Sequence, residues 1–223
     1  MQTILITGAS RGIGLELSRT YTAAGFRVIA TVRDVPKAKD ILPFAELIEL
    51  EVTEPASVAK LQAQMQGETI DVLINNAGII GPDLQSTTDM DFDGFLKTLE
   101  VNTVAPLRIV QALLPALKRA KQPKLATVSS KMGSLSYAAS DQVAYRASKS
   151  AANKVIQCLS TDLKSAGIAV ASLHPGWVRT DMGGAGADIA VTESAMGIKA
   201  VMDKLTLATT GRFWNYDGSE LGW

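Results

Sequence analysis

Short apolar runs of strand length alternate with longer stretches of helical period along nearly the whole chain, and this alternation restricts the fold more than any single motif. Residues 3–7 read as a strand and are followed by a helix over 12–24; residues 26–31 form the next strand, with a helix expected near 35–42. The strand at 47–50 precedes a helix in which Thr53 suits the N-cap and Pro55 the first turn. A fourth strand is expected at 71–74, a long helix from about 91 to 120, and a fifth strand at 125–129. A helix over about 142–166, stopped by Gly167, leads to a sixth strand at 168–173. Strands this apolar, each regained after a helix, predict an α/β fold: a doubly wound parallel β-sheet with helices on both faces. No repeat and no Pro/Gly-rich linker divides residues 1–223, so a single domain is expected.

Composition removes several classes of function. Lys plus Arg equals Asp plus Glu at 22 each, so no bulk charge favours nucleic acid or a membrane surface. One cysteine, Cys158, and one histidine, His174, leave neither a disulfide framework nor a Cys- or His-clustered metal site. The chain shows no secretory-type start and no apolar run of membrane-span length, so a soluble, cytoplasmic protein is expected.

In a doubly wound sheet, ligands bind at the C-terminal edge of the strands, and the suggestive residues fall there. After the first strand, Gly8, Gly12 and Gly14 frame a turn containing Ser10, Arg11 and Ile13 that opens a helix. Such a turn lets backbone N–H groups and a helix N-terminus face a pyrophosphate, although the spacing is G-x-x-x-G-x-G rather than G-x-G-x-x-G. After the second strand comes Arg33-Asp34. An acid there would accept from the 2′-hydroxyl of NAD, whereas Arg33, paired with Arg11, would clamp the 2′-phosphate of NADP. NADP(H) is therefore favoured over NAD(H). Glu51 and Val52 follow the third strand, and Asn75, Asn76, Ala77 and Gly78 end the fourth, where small residues admit a flat ligand. Ser130 follows the fifth strand. Pro175 and Gly176 turn the chain after the sixth, with Val178 among the expected cofactor residues and Thr180 placed to hold a nicotinamide amide. His174, at a strand end before proline, reads as a packed residue rather than a catalyst.

Tyr145 and Lys149 lie four residues apart in a helical stretch, which stacks phenol and ammonium on one face. An ammonium about 4 Å from the phenol, at an effective dielectric near 20, would favour the phenolate by about 4 kcal/mol. That shift would let Tyr145 exchange a proton near neutral pH, as carbonyl–alcohol chemistry requires.

Taken in order, the Gly8–Gly14 turn, Asn75-Asn-Ala-Gly78, Asn102, Ser130, Tyr145-x-x-x-Lys149 and Pro175-Gly176 resemble the short-chain dehydrogenase/reductase family over nearly the whole chain. The 177–184 segment and the ending 211–223 are most similar to small carbonyl reductases of the sniffer and C-factor type. The resemblance implies a Rossmann-type NAD(P)-binding domain that reduces a ketone or aldehyde. In it, Tyr145 protonates the carbonyl oxygen, Ser130 orients it, and Lys149 lowers the Tyr145 pKa and holds the nicotinamide ribose. Asn102 would break its helix so that water links Lys149 to solvent. The Gly8–Gly14 turn would hold the phosphates and Asn75 to Gly78 the adenosine side. Two departures stand out. Ser130 precedes Tyr145 by fifteen residues rather than about thirteen, which makes Ser134 a runner-up, and Glu51 replaces the usual Asp beside adenine.

Leu135, Tyr137, Trp177 and Met182 are expected to bound an open substrate pocket, with residues 182–192 as a mobile lid. Ala-rich helices around 99–117 and 145–163 suggest a homo-oligomer, a dimer or tetramer. A C-factor-like signalling or sensor protein that binds the dinucleotide is the alternative to an enzyme.

Overall fold

The computed structural model describes residues 1–38 and 43–223. Eight strands form one sheet in the order β3-β2-β1-β4-β5-β6-β7-β8, parallel except for the final β7–β8 pair. They are β1 (Thr3–Ile6), β2 (Arg27–Val32), β3 (Glu46–Glu49), β4 (Val72–Asn75), β5 (Lys124–Val128), β6 (Ala169–His174), β7 (Arg212–Asn215) and β8 (Glu220–Leu221). Strand order reverses direction between β1 and β4, and this switch point opens the crevice in which ligands of such sheets bind.

The helices are α1 (Gly12–Ala23), α2 (Pro55–Gln64), α3 (Phe92–Leu99), α4 (Ala105–Leu117), α5 (Val143–Asp162) and α6 (Val191–Lys204). One core lies between the sheet and α1 with α6, through Ile6, Ile74, Leu17 and Ile198. The other lies under α2, α4 and α5. There Leu5, Leu73, Leu125 and Val170 form one buried row across four strands in register. Burying each such side chain contributes about 1.5–3 kcal/mol. Two residues further along, the same face turns polar at Asn75, Thr127 and Ser172, directly beneath the C-terminal edge.

Several local expectations are corrected. The stretch expected to be helical at 35–42 is a turn through Lys37, and its remainder, 39–42, lies outside the described residues. Glu54, not Thr53, is the N-cap of α2. The Thr53 hydroxyl instead donates to Glu51 Oε1 at 3.0 Å and accepts from Lys97 Nζ. The single helix expected over 91–120 is three pieces: α3, a π-helical turn at Glu100–Val104, and α4. The cause is legible in retrospect. Pro106 has no N–H to return to the Asn102 carbonyl, so a regular ladder cannot run through this point. α6, β7 and β8 have no counterpart among the expected elements.

Candidate active site

The cleft at the switch point has a volume of about 680 Å³ and runs without interruption from Arg33 and Glu51, past the Gly-rich turn, to Tyr145 and Lys149. Its nucleotide end is shaped by backbone. Gly8 and Gly12 take positive φ (66° and 55°), and a Cβ on Gly8 would stand 2.7 Å from Ala77 Cα. The Asn76 amide ties this turn to β4, donating to the carbonyls of Thr7 and Gly8 at 3.0 and 2.9 Å. No side chain caps the N-terminus of α1, so its first-turn N–H groups are left for a ligand. Together with the guanidinium of Arg33 on the wall, this donor set fits the phosphates of a dinucleotide.

Most of the expected cofactor residues line this cleft: Gly8, Ser10, Arg11, Gly12, Ile13, Arg33, Glu51, Val52, Ala77, Gly78, Pro175 and Thr180. Gly14 instead packs beneath the turn, where a Cβ would meet the Gly8 carbonyl. Gly176 packs against Ile189 and Tyr216, and Val178 is buried behind the loop. Asn75 is a correction. Strand alternation sends it to the α4 face, where its amide donates to the Pro106 carbonyl, and its neighbour Asn76 faces the cleft. The two-arginine clamp is also incomplete, because Arg11 Nη1 pairs with Asp181 Oδ2 at 2.7 Å. Asp34 turns away towards Lys37, 2.7 Å distant.

At the other end, Ser130 caps a 3₁₀ turn at Lys131–Gly133 by accepting from the Met132 N–H. A Cβ on Gly133 would meet the Lys149 backbone at 2.6 Å, and this closeness sets the turn directly against α5. Ser130 therefore stays beside Tyr145 despite the longer spacing. The extra residues bulge outwards through Asp141 and Gln142, both at positive φ, and Arg146 holds Asp141 by a salt bridge at 2.6 Å. Ser134 is removed as the runner-up, since its hydroxyl donates to the Gly222 carbonyl.

The electrostatics differ from expectation. Burial pushes the Tyr145 phenol up to about 12, with the Ser130 hydroxyl opposing the rise. Burial also pushes the Lys149 ammonium down to about 8. Lys149 Nζ donates to the Val128 carbonyl at 2.8 Å and lies 5.7 Å from the centre of the Tyr145 ring. The ammonium therefore does not depress the phenol as expected, and desolvation sets the direction of the shift in both groups. Asn102 sits in the π-helical turn. Its amide accepts from the Ile79 N–H and donates to the Ile79 carbonyl and the Ser148 hydroxyl, clamping the cleft wall to α5.

Two positioning residues carried no sequence signal. Gln85 accepts from the Tyr145 N–H through Oε1 and donates to the carbonyls of Ile80 and Pro82, so it fixes the first turn of α5 from outside. Asn153 accepts from Ser172 and donates to the Gly133 carbonyl. Of the expected substrate residues only Met182 lines the cleft; Leu135, Tyr137 and Trp177 stand exposed on the flanking loops. The segment expected to be a mobile lid is laced to the strand end. Arg179 donates to the carbonyls of Ala187 and Asp188, Ile189 N–H to Trp177, and Trp177 Nε1 to Gly183. His174 is largely buried, and burial pushes it down to about 4, so it is neutral.

The profile of the short chain dehydrogenase family matches residues 2–188. The chain belongs to this family. The C-signal protein of Myxococcus xanthus is 42% identical over 156 residues, spanning 69% of this chain and 93% of that protein. The NADPH-bound carbonyl reductase from chicken fatty liver superposes with a TM-score of 0.93 at 33% identity, over 100% of this chain and 99% of that one. The carbonyl reductase Sniffer of Drosophila melanogaster gives 0.92 at 34% identity over both chains in full. This short-chain dehydrogenase is thus an oxidoreductase of Rossmann-type fold, with carbonyl reductases bound to NADPH or NADP among its structural neighbours. No helix among the described residues is long and apolar enough to cross a membrane.

Proposed function

We propose that this protein reduces a ketone or aldehyde to an alcohol, using NADPH in preference to NADH, with Tyr145 as proton donor. The reading rests on one observation: a single cleft joins a phosphate-ready helix terminus and Arg33 at one end to Tyr145, Lys149 and the adjoining Ser130 at the other. A reduced nicotinamide bound there supplies the hydride. Tyr145, held protonated by burial, gives its proton to the carbonyl oxygen as negative charge develops on it. Ser130 donates to the same oxygen and fixes its position. Lys149, whose ammonium burial makes a stronger acid, returns a proton to the phenolate and would hold the ribose hydroxyls. The widened turn at Asn102 is the route by which Lys149 exchanges protons with solvent. Preference for NADPH is supported by Arg33 on the wall and by Asp34, the acid suited to a free 2′-hydroxyl, being drawn off to Lys37.

The likeness to C-signal favours a second reading, a signalling protein that only binds the dinucleotide. Binding alone gives no reason to bury a phenol against Ser130 and Lys149. NADPH oxidation across a panel of aldehydes and ketones separates the two. Tyr145→Phe should lower turnover about 10²–10⁴-fold while affecting NADPH affinity far less. Undiminished turnover in that variant would remove Tyr145 from the mechanism, and NADPH binding without any oxidation would favour the signalling reading.

A further inference from the structure

Immediately after Ser130 the chain carries a cation that the reaction itself does not use. Lys131 directly follows Ser130 in the chain and opens the same 3₁₀ turn, so its side chain springs from the point where the carbonyl oxygen is held. Its ammonium lies 4.5 Å from the centre of the Tyr137 ring. Stacking on an aromatic face holds a lysine in place without neutralising it. Among the described residues, Lys131 has no carboxylate within ion-pair distance. Asp141 pairs instead with Arg146, and Asp217 accepts from the Ser219 hydroxyl and N–H. On the loop that follows Lys131, Leu135 and Tyr137 are 84% and 44% exposed, and on the loop after β6 Trp177 and Met182 are 54% and 49% exposed. An exposed apolar rim with one oriented, unpaired cation is a receptor for an apolar body bearing an anion.

Building on the carbonyl-reductase reading, we propose that the substrate is an apolar or aromatic carbonyl compound carrying a carboxylate or similar anion. Lys131, braced by Tyr137, receives that anion while Ser130 and Tyr145 hold the carbonyl oxygen. His174, kept neutral behind Lys131, adds no competing charge. Lys131 is therefore a specificity determinant. Because it is exposed, its effect is moderate and screened by salt.

The test compares kcat/KM for 4-carboxybenzaldehyde with that for its neutral methyl ester, using NADPH, in the wild type and in Lys131→Met, Lys131→Glu and Lys131→Arg. The wild type should prefer the carboxylate by about three- to tenfold at low salt, with the preference shrinking as ionic strength rises. Lys131→Met should collapse the ratio towards one, Lys131→Glu should invert it, and Lys131→Arg should restore it. A merely structural lysine would change both substrates alike and leave the ratio and its salt dependence in place. Turnover of both aldehydes with a ratio indifferent to Lys131→Glu overturns this inference and leaves the reductase reading standing. Failure of both aldehydes to oxidise NADPH removes the two together.

Discussion

The two halves of the cleft are built in different ways. The nucleotide half takes its shape from main chain: Gly8 lies against Ala77, and Asn76 bonds the carbonyls of Thr7 and Gly8. The carbonyl half stands on two loops held by side chains, through Arg146 on Asp141, Ser134 on the Gly222 carbonyl, and Arg179 on residues 187 and 188. Its large residues point to solvent rather than into a core. A backbone-defined pocket cannot change without disturbing the sheet, whereas loop side chains can be exchanged at little cost to stability. The first half suits a constant ligand, and the second leaves room for substrate to vary.

The sharpest way to break this contrast is Gly8→Ala. The positive φ alone costs about 1–3 kcal/mol in a residue with a side chain, and overlap with the Ala77 backbone adds to it. Denaturant unfolding should show the loss, and NADPH titration should show weakened binding. Normal stability and affinity in the Gly8→Ala variant would mean that the turn is not shaped by this contact.

Acid should act on the carbonyl half through His174. Burial, then Lys131, lowers its folded pKa from 6.5 to about 4, with Asp217 partly opposing. The unfolded chain therefore takes up the proton first. Stability should fall as pH drops from about 6.5 to 4, by up to about 3 kcal/mol, with no contribution from this group above that window. Unfolding curves across this range for the wild type and His174→Asn would show the slope flatten in the variant. An identical slope would exclude His174 as its source.

Arg33→Ala sharpens the comparison within the nucleotide half. Loss of a charge-assisted contact to a 2′-phosphate should weaken NADPH about 10- to 100-fold while sparing NADH. Equal weakening of both, measured by isothermal titration, would remove Arg33 from cofactor choice. The smallest effect is expected from Leu135→Ala, which should change folding stability by no more than about 0.5 kcal/mol, because the side chain is almost wholly exposed. A larger loss in unfolding experiments would show that the substrate loop contributes to the core.

The parallel sheet was legible because its inner strands β1, β2, β4, β5 and β6 are runs of buried, mostly apolar residues, and the Gly8–Gly14 turn was legible because only glycine tolerates its geometry. Tyr145 and Lys149 followed from helical spacing. The sign of the Tyr145 shift did not, because desolvation depends on everything packed around the phenol. Gln85 was invisible for the same reason: its contact with the Tyr145 N–H spans sixty residues of chain. Asn75 was misread because strand alternation, not motif membership, decides which of two adjacent amides faces the ligand.

Local chemistry written in the chain thus determined the layer order, the phosphate-ready turn and the pairing of Tyr145 with Lys149, since periodicity, glycine and helical spacing act over a few residues. Tertiary structure alone decided that burial governs the protonation of Tyr145 and Lys149, that Ser130 rather than Ser134 meets the phenol, and that Lys131 stacks on the Tyr137 ring. Those outcomes depend on distances between segments far apart in the chain, which no local pattern encodes.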